Sequence, residues 1–239
     1  MKYLDLTFTD PADNLACDEA LLNWYEARQG QESLLRIWQA ERPFVVLGHS
    51  NKFTAEVRNS ACAAAGVPVL RRISGGGAVV QGPGCLNYSL IINAEAENLG
   101  SVEASFQYVL RRHRRLIKKM RGVDVSIEGI SDLATNGRKF SGNAQYRKRT
   151  YVLVHGTFLL NFELALIERC LWMPERQPDY RCRRAHSDFV INLQLSSRAV
   201  RAGLVEAWAA DREFTDVPWA TVEQLARTRH RQRDWVMRF

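Results

Sequence analysis

The chain has 239 residues, of which 46% are hydrophobic, 25% charged and 10% aromatic, a composition that excludes disordered, collagen-like and low-complexity classes. Its 33 basic and 26 acidic residues leave a formal charge of +7, which favours an anionic partner: nucleic acid, an acidic protein or a phosphorylated ligand. No apolar run approaches the roughly 20 residues of a membrane span, and the start MKYLDLTFTDPAD lacks the apolar stretch of a secretory signal, so a cytoplasmic protein is expected.

The first predicted strand covers residues 3–8. Asp10 or Asp13 then caps a helix through Leu15, Ala16, Glu19, Ala20, Leu22 and Trp24. Strands follow at 34–39 and 44–47, and a helix at 56–65 ends on Gly66. Next come strands 69–73, 78–80 and 86–93, with a glycine-rich turn between the first two. The clearest helix is 102–120, where Phe106, Val109, Leu110, His113, Leu116, Ile117 and Met120 recur at three- and four-residue steps. Its other face carries Arg111, Arg112, Arg114, Arg115, Lys118 and Lys119. Strands 126–135 and 138–147 flank Asn136-Gly137, a type I′ hairpin signal, and strand 151–162 pairs beside them. A short helix holds Leu164, Ile167, Cys170 and Leu171, and another covers 200–209. Strands adjoin without intervening helices, so the fold class is α+β: a mixed, largely antiparallel sheet with helices packed on it, in one domain over residues 1–239. The five cysteines are scattered with no C-x-x-C pair, which argues against a disulfide framework or a zinc site.

Three segments carry chemistry. In Arg71-Arg72-Ile73-Ser74-Gly75-Gly76-Gly77, three bare glycines let the backbone approach a ligand and point N–H groups at a carboxylate or phosphate. Both arginines are expected to add charged donors for that anion. No Gly-Lys-Ser/Thr follows, and Val80 breaks a G-x-G-x-x-G pattern, so neither a P-loop nor a dinucleotide-binding turn fits. Lys139, just after the hairpin turn, is placed to neutralise a carboxylate or phosphate oxygen, unless it is a solvated strand lysine. His155-Gly156-Thr157 interrupts an apolar strand, and its glycine suggests close approach of a ligand or another backbone.

Taken in order, NLACDEALL, RRISGGGAVVQGPGCLNYSLI, SDLATNGRKFSGNAQ and HGTFLL resemble the lipoate–protein ligase A, octanoyltransferase and biotin ligase superfamily, most closely a single-domain lipoate–protein ligase A. The resemblance spans roughly residues 10–195 and implies the biotin/lipoate ligase catalytic fold. It further implies an acyl-adenylate site lined by Arg72, Ser74, Gly75, Gly76 and Gly77, with Lys139 on the carboxyl and phosphate oxygens. Asn87, Asp132, Asn143 and His155 match polar family positions around nucleotide and acyl head group, and no metal ligand is assigned. Lipoate, ATP and Mg2+ are the implied substrates and cofactor. The implied partners are lipoyl carrier domains, the glycine cleavage H protein and the E2 subunits of 2-oxoacid dehydrogenases. Neither a membrane nor nucleic acid is expected as partner.

Several positions depart from the family pattern. Many ligases have His where this chain has Gln81, so the role of that His is absent, and Gly82-Pro83-Gly84 looks more like an octanoyltransferase loop. The two octanoyltransferase cysteine positions fall on Val125-Ser126-Ile127 and near Met173-Pro174-Glu175, neither of which holds Cys, although Cys170 and Cys182 lie nearby. The chain ends before the accessory domain of two-domain ligases, so a separate accessory polypeptide is a further candidate partner. The expected activity is transfer of lipoate, activated as lipoyl-AMP, to a carrier lysine. The alternatives are an ATP-free octanoyl or lipoyl transferase and a basic module binding nucleic acid through residues 111–119. An intermediate reading has that helix face dock acidic carrier domains.

Overall fold

The structure is a computed structural model that describes residues 1–28 and 30–239. Its strands are β1 (Lys2–Asp5), β2 (Leu34–Trp38), β3 (Phe44–Leu47), β4 (Val69–Arg71), β5 (Val79–Gln81), β6 (Cys85–Asn93), β7 (Ser126–Glu128), β8 (Asp132–Thr135), β9 (Arg138–Arg147), β10 (Tyr151–Leu159) and β11 (Arg212–Glu213). Eight of them form one sheet in the order β11-β1-β2-β6-β10-β9-β8-β7, and the other three form a small sheet, β4-β3-β5. β1 pairs in parallel with β2 and β11, as does β3 with β4, and every other pairing is antiparallel. The α+β class and mixed sheet expected from the sequence are what forms.

The helices are α1 (Pro11–Arg28), α2 (Phe53–Glu56), α3 (Asn59–Ala64), α4 (Val102–Arg121), α5 (Ala165–Cys170), α6 (His186–Phe189), α7 (Ser197–Ala207), α8 (Trp219–Leu225) and α9 (Arg233–Val236). Helix α4 starts where the Ser101 hydroxyl accepts from the Ala104 amide at 3.0 Å and stops at left-handed Gly122. The helix expected over 56–65 is two helices, because Val57 leaves the helix to form a β-bridge with Leu171. Likewise the strand expected over 126–135 is the hairpin β7–β8, turned at Gly129 with φ +54.

Alternation along the strands gives the large sheet two unlike faces. One buries Leu35, Ile37, Tyr88, Leu90, Val154 and Phe158 against α4 and α7. The other buries Leu34, Ile91, Tyr151 and Leu153 against α1, and the small sheet lies beside that helix on the same side. Across this second face the buried Arg36 guanidinium donates to Asp18 of α1 at 2.6 Å, and the Ser89 hydroxyl donates to the other Asp18 oxygen at 2.7 Å. Removing one member of such a buried pair costs about 3–5 kcal/mol, so α1 is fixed over the sheet by charge as well as by packing.

Candidate active site

Between β4 and β5 the chain crosses the α1-side face of the large sheet as Arg72–Ala78. The buried Arg72 guanidinium does not face outward to an anion. It donates to the carbonyls of Gly75 at 2.6 Å, Gly77 at 2.9 Å and Val46 at 3.3 Å. With the loop carbonyls gathered inward, the exposed amides of Gly75, Gly76 and Gly77 meet no acceptor among the described residues. Three amides turned outward by a cation behind them form an anion-binding nest. Gly76 sits at φ +88, where a Cβ would also press on the Arg72 Nη2 at 2.9 Å. The loop rests on Gly48, whose Cβ would come within 2.0 Å of the Gly76 carbonyl.

Ser74 anchors the loop to the sheet. Its hydroxyl accepts from Arg72 Nε at 3.1 Å and shares a hydrogen bond with His155 Nε2 at 2.6 Å. Burial, with the Arg72 charge second, holds His155 down at about 4, so the ring is neutral at pH 7. The glycine loop also reaches β9, because a Cβ on Gly76 would lie 3.8 Å from that of Ala144.

Lys139 arrives on the same face by a β-bulge. β8 and β9 pair Asp132 with Gly142 and Leu133 with Ser141, but Ala134 then meets Lys139, leaving Phe140 as an extra residue. That one-residue slip turns Lys139 from the α4 side to the side of Gly142 and Asp132. Its ammonium contacts Asp132 Oδ1 at 2.7 Å and lies over Gly142, where a Cβ would come within 2.8 Å of the Lys139 Nζ. The other Asp132 oxygen accepts from Tyr180 OH at 2.8 Å, and burial followed by the Asp132 charge raises that phenol's pKa, keeping it a donor. Gly142 and Ala144 are two residues apart on one strand face, about 7 Å. The glycine nest and the lysine therefore share one surface.

A rung across four strands continues that surface: Asp132 pairs with Gly142, Gly142 with Thr157, and Thr157 with Asn87. The Thr157 hydroxyl accepts from Gln81 Nε2 at 2.7 Å and donates to Asn87 Oδ1 at 2.6 Å. Asn87 Nδ2 and Gln81 Oε1 are buried with no protein partner, at 2% and 8% residue exposure. An unmatched buried polar atom costs about 1–3 kcal/mol.

The structure thus brings Ser74, Gly75, Gly76, Gly77, Asn87, Asp132, Lys139 and His155 to one face, with Arg72 behind the loop. Asn143 faces the other way: its Oδ1 accepts from Tyr88 OH on the α4 side and its Nδ2 donates to Ser131 O at 2.6 Å. The space at Gly156 is filled by these same Asn143 and Tyr88 side chains, not by a ligand or a second backbone. Arg71 is also a correction, for its guanidinium binds the carbonyls of Gly48, His49, Asn51, Trp235 and Val236. Sequence reasoning passed over Gly48, Tyr180 and the polar contact of Gln81. Only the Gly-His pair at 48–49 hinted at a special turn.

Burial pushes the thiol of Cys17 up to about 11 and those of Cys62 and Cys85 up to about 12, against thiolate formation; Cys170 is also buried, whereas Cys182 is exposed. Among the described residues, no group of three or more His, Cys, Asp or Glu could hold a metal ion, and no helix is long and apolar enough to cross a membrane.

Known proteins are similar to this chain in sequence and in fold. The chain is 24% identical over 250 residues to Lipoate-protein ligase LplJ of Bacillus subtilis, covering 98% of this chain and 73% of that protein. It is 28% identical over 267 residues to Octanoyltransferase LipM of Carboxydothermus hydrogenoformans, covering 100% and 98%. The solved bi-partite lipoate protein ligase of Thermoplasma acidophilum, described with its E2 lipoyl domain, superposes with a TM-score of 0.78 at 21% identity, covering 99% of this chain and 95% of that one. Residues 10–202 match the lipoyl protein ligase A/B catalytic domain, and the chain belongs to that family.

Proposed function

We propose that this chain is an ATP-dependent lipoate–protein ligase. The observation that carries the reading is the outward-facing glycine nest and the Lys139 ammonium meeting on one sheet face. A free carboxylate does not condense with an amine unaided, so it must first be activated. Nest amides and an ammonium suit the mixed anhydride that activation by ATP produces. The lipoate carboxylate attacks the α-phosphorus of ATP and pyrophosphate departs. A carrier lysine amine then attacks the acyl carbonyl, the C–O bond to phosphate breaks, and AMP leaves with the electron pair while Lys139 offsets its charge. In these steps Ser74 and His155 hold the loop, Arg72 keeps its amides outward, and Asp132 with Tyr180 orients Lys139.

Mg2+ asks little of the protein, since one or two carboxylates and the substrate phosphates satisfy it. Asp132 is the site's carboxylate, and the ion would add charge neutralisation at the phosphates. The carriers are lipoyl domains of E2 subunits and the glycine cleavage H protein, modified in the cytoplasm, with residues 1–239 acting as one catalytic domain. The bi-partite neighbour supports a separate accessory polypeptide in adenylate formation.

A second reading has its own support: the LipM relative and the exposed Cys182, two residues from Tyr180, fit an ATP-free acyltransferase. Incubation with ATP, lipoate and apo-carrier, and separately with octanoyl-carrier and no ATP, decides by the mass of the carrier. Modification in the first mixture alone, unaffected by Cys182→Ser, is expected; modification in the second alone overturns the ligase.

A further inference from the structure

Thr157 has one hydroxyl proton, and it is spent on Asn87 Oδ1, while its oxygen takes the Gln81 amide. In this arrangement Asn87 turns its NH2 away from Thr157, and Gln81 its carbonyl. The result is one buried donor and one buried acceptor, both unmatched, on two carboxamides that meet at the same hydroxyl. Both adjoin the rung on which Lys139 lies over the bare Gly142.

Gly142 and Asn87 are two strand spacings apart, about 10 Å. A carboxyl group with a hydrogen bond at each oxygen spans roughly 8 Å. The floor beneath it is Gly142 and Thr157, one without a side chain and the other short.

We propose that Asn87 and Gln81 form the acyl-transfer half of the site: Asn87 Nδ2 donates to the acyl carbonyl oxygen, and Gln81 Oε1 accepts an N–H of the incoming carrier amine. The inference rests on the ligase reading and assigns direction to it. The phosphate end of the acyl-adenylate lies toward Lys139 and the carbonyl end toward Asn87. As the neutral amine forms its C–N bond, negative charge gathers on the oxygen held by Asn87. The C–O bond to phosphate then breaks, AMP keeps the electron pair, and the surplus amine proton passes to water. Thr157 is a positioning residue that acts through the two amides. Gln81, dismissed in the sequence as the loss of a histidine, becomes a non-titrating acceptor in its own right.

The test bypasses ATP by supplying synthetic lipoyl-AMP and an apo lipoyl domain in single turnovers. Asn87→Ala is expected to slow transfer about 100-fold, the usual loss when one oxyanion donor is removed. Gln81→Met and Thr157→Val should each slow it about tenfold through kcat, with KM for the carrier changed less than twofold. Gln81→His supplies a readout that a structural role would not move. Its rate relative to wild type should fall as pH drops from about 7 to 5, because a protonated imidazole cannot accept an N–H. Unchanged transfer in Asn87→Ala, or a flat Gln81→His ratio, overturns the inference while leaving the ligase intact. Wild-type protein inert toward lipoyl-AMP overturns both, and if Asn87→Ala fails to fold, the Gln81→His ratio decides alone.

Discussion

Two regions of this molecule invite an anion on charge alone, and they behave differently. Helix α4 carries Arg111, Arg114, Arg115, Lys118 and Lys119 exposed along one face, yet it packs on the side of the large sheet away from the glycine nest. Its cations are dispersed: Lys118 pairs with Asp124, Lys119 with Glu206, and Arg112 stacks on Tyr108 and Trp208 at 4.1 and 4.5 Å. The glycine loop presents no exposed charge of its own, but Arg72 orients its amides and a bulge brings Lys139 opposite. Oriented dipoles backed by a buried cation outweigh a larger number of dispersed, screened surface charges. On the proposed function, a carrier lysine that reaches Lys139 is expected to approach from the α1 side, away from the arginine face of α4.

The sharpest way to break this contrast is Lys139→Ala, expected to lower both adenylate formation and transfer by about 100- to 1,000-fold; near-normal pyrophosphate release by that variant would remove the lysine from the mechanism. Next is Gly76→Ala, which forces an L side chain into the left-handed region against Arg72. It should reduce adenylate formation about tenfold, consistent with a strain of about 1–2 kcal/mol, while a melting scan shows the rest of the fold intact.

Acid titration tests the interior of both regions. Burial holds His113 down at about 3 and His155 at about 4, below the usual value near 6.5. Between those limits the unfolded chain binds protons that the folded chain refuses, so stability falls as pH drops from about 6.5 toward 4. For fully buried His113 the slope approaches 1.4 kcal/mol per pH unit. Denaturant titrations of wild type and His113→Gln at several pH values should show a flatter profile in the variant. The smallest effect is expected from Arg111→Glu with Arg115→Glu: carrier acylation within twofold of wild type at physiological salt. A tenfold loss would restore α4 as the dock.

What the sequence could not disclose follows from where each decision is made. Local chemistry was legible: β3 and β9 fall on their expected residues, and Asn136-Gly137 makes its turn with φ of 48° and 69°. Asp10, one of two candidate caps, accepts from the Ala12 amide at the start of α1. The side on which Lys139 emerges was not legible, since it depends on a slip against β8 that no pattern within β9 encodes. Arg71 and Arg72 are neighbours of one type, and only the tertiary contacts send one to the far end of the chain and the other under the glycines. The role of Asn143 was misplaced for a related reason, strand alternation having set it on the opposite face.

Arg71 gives the last residues an influence that their distance in sequence conceals. Its guanidinium joins the carbonyls of Trp235 and Val236 to those of Gly48, His49 and Asn51, and Gly48 is the seat of Gly76. Replacing Trp235-Val236 by a flexible segment would loosen the support beneath the nest, and would also remove Val236 from the core beside the small sheet. Inherited changes near position 236 would register as catalytic defects.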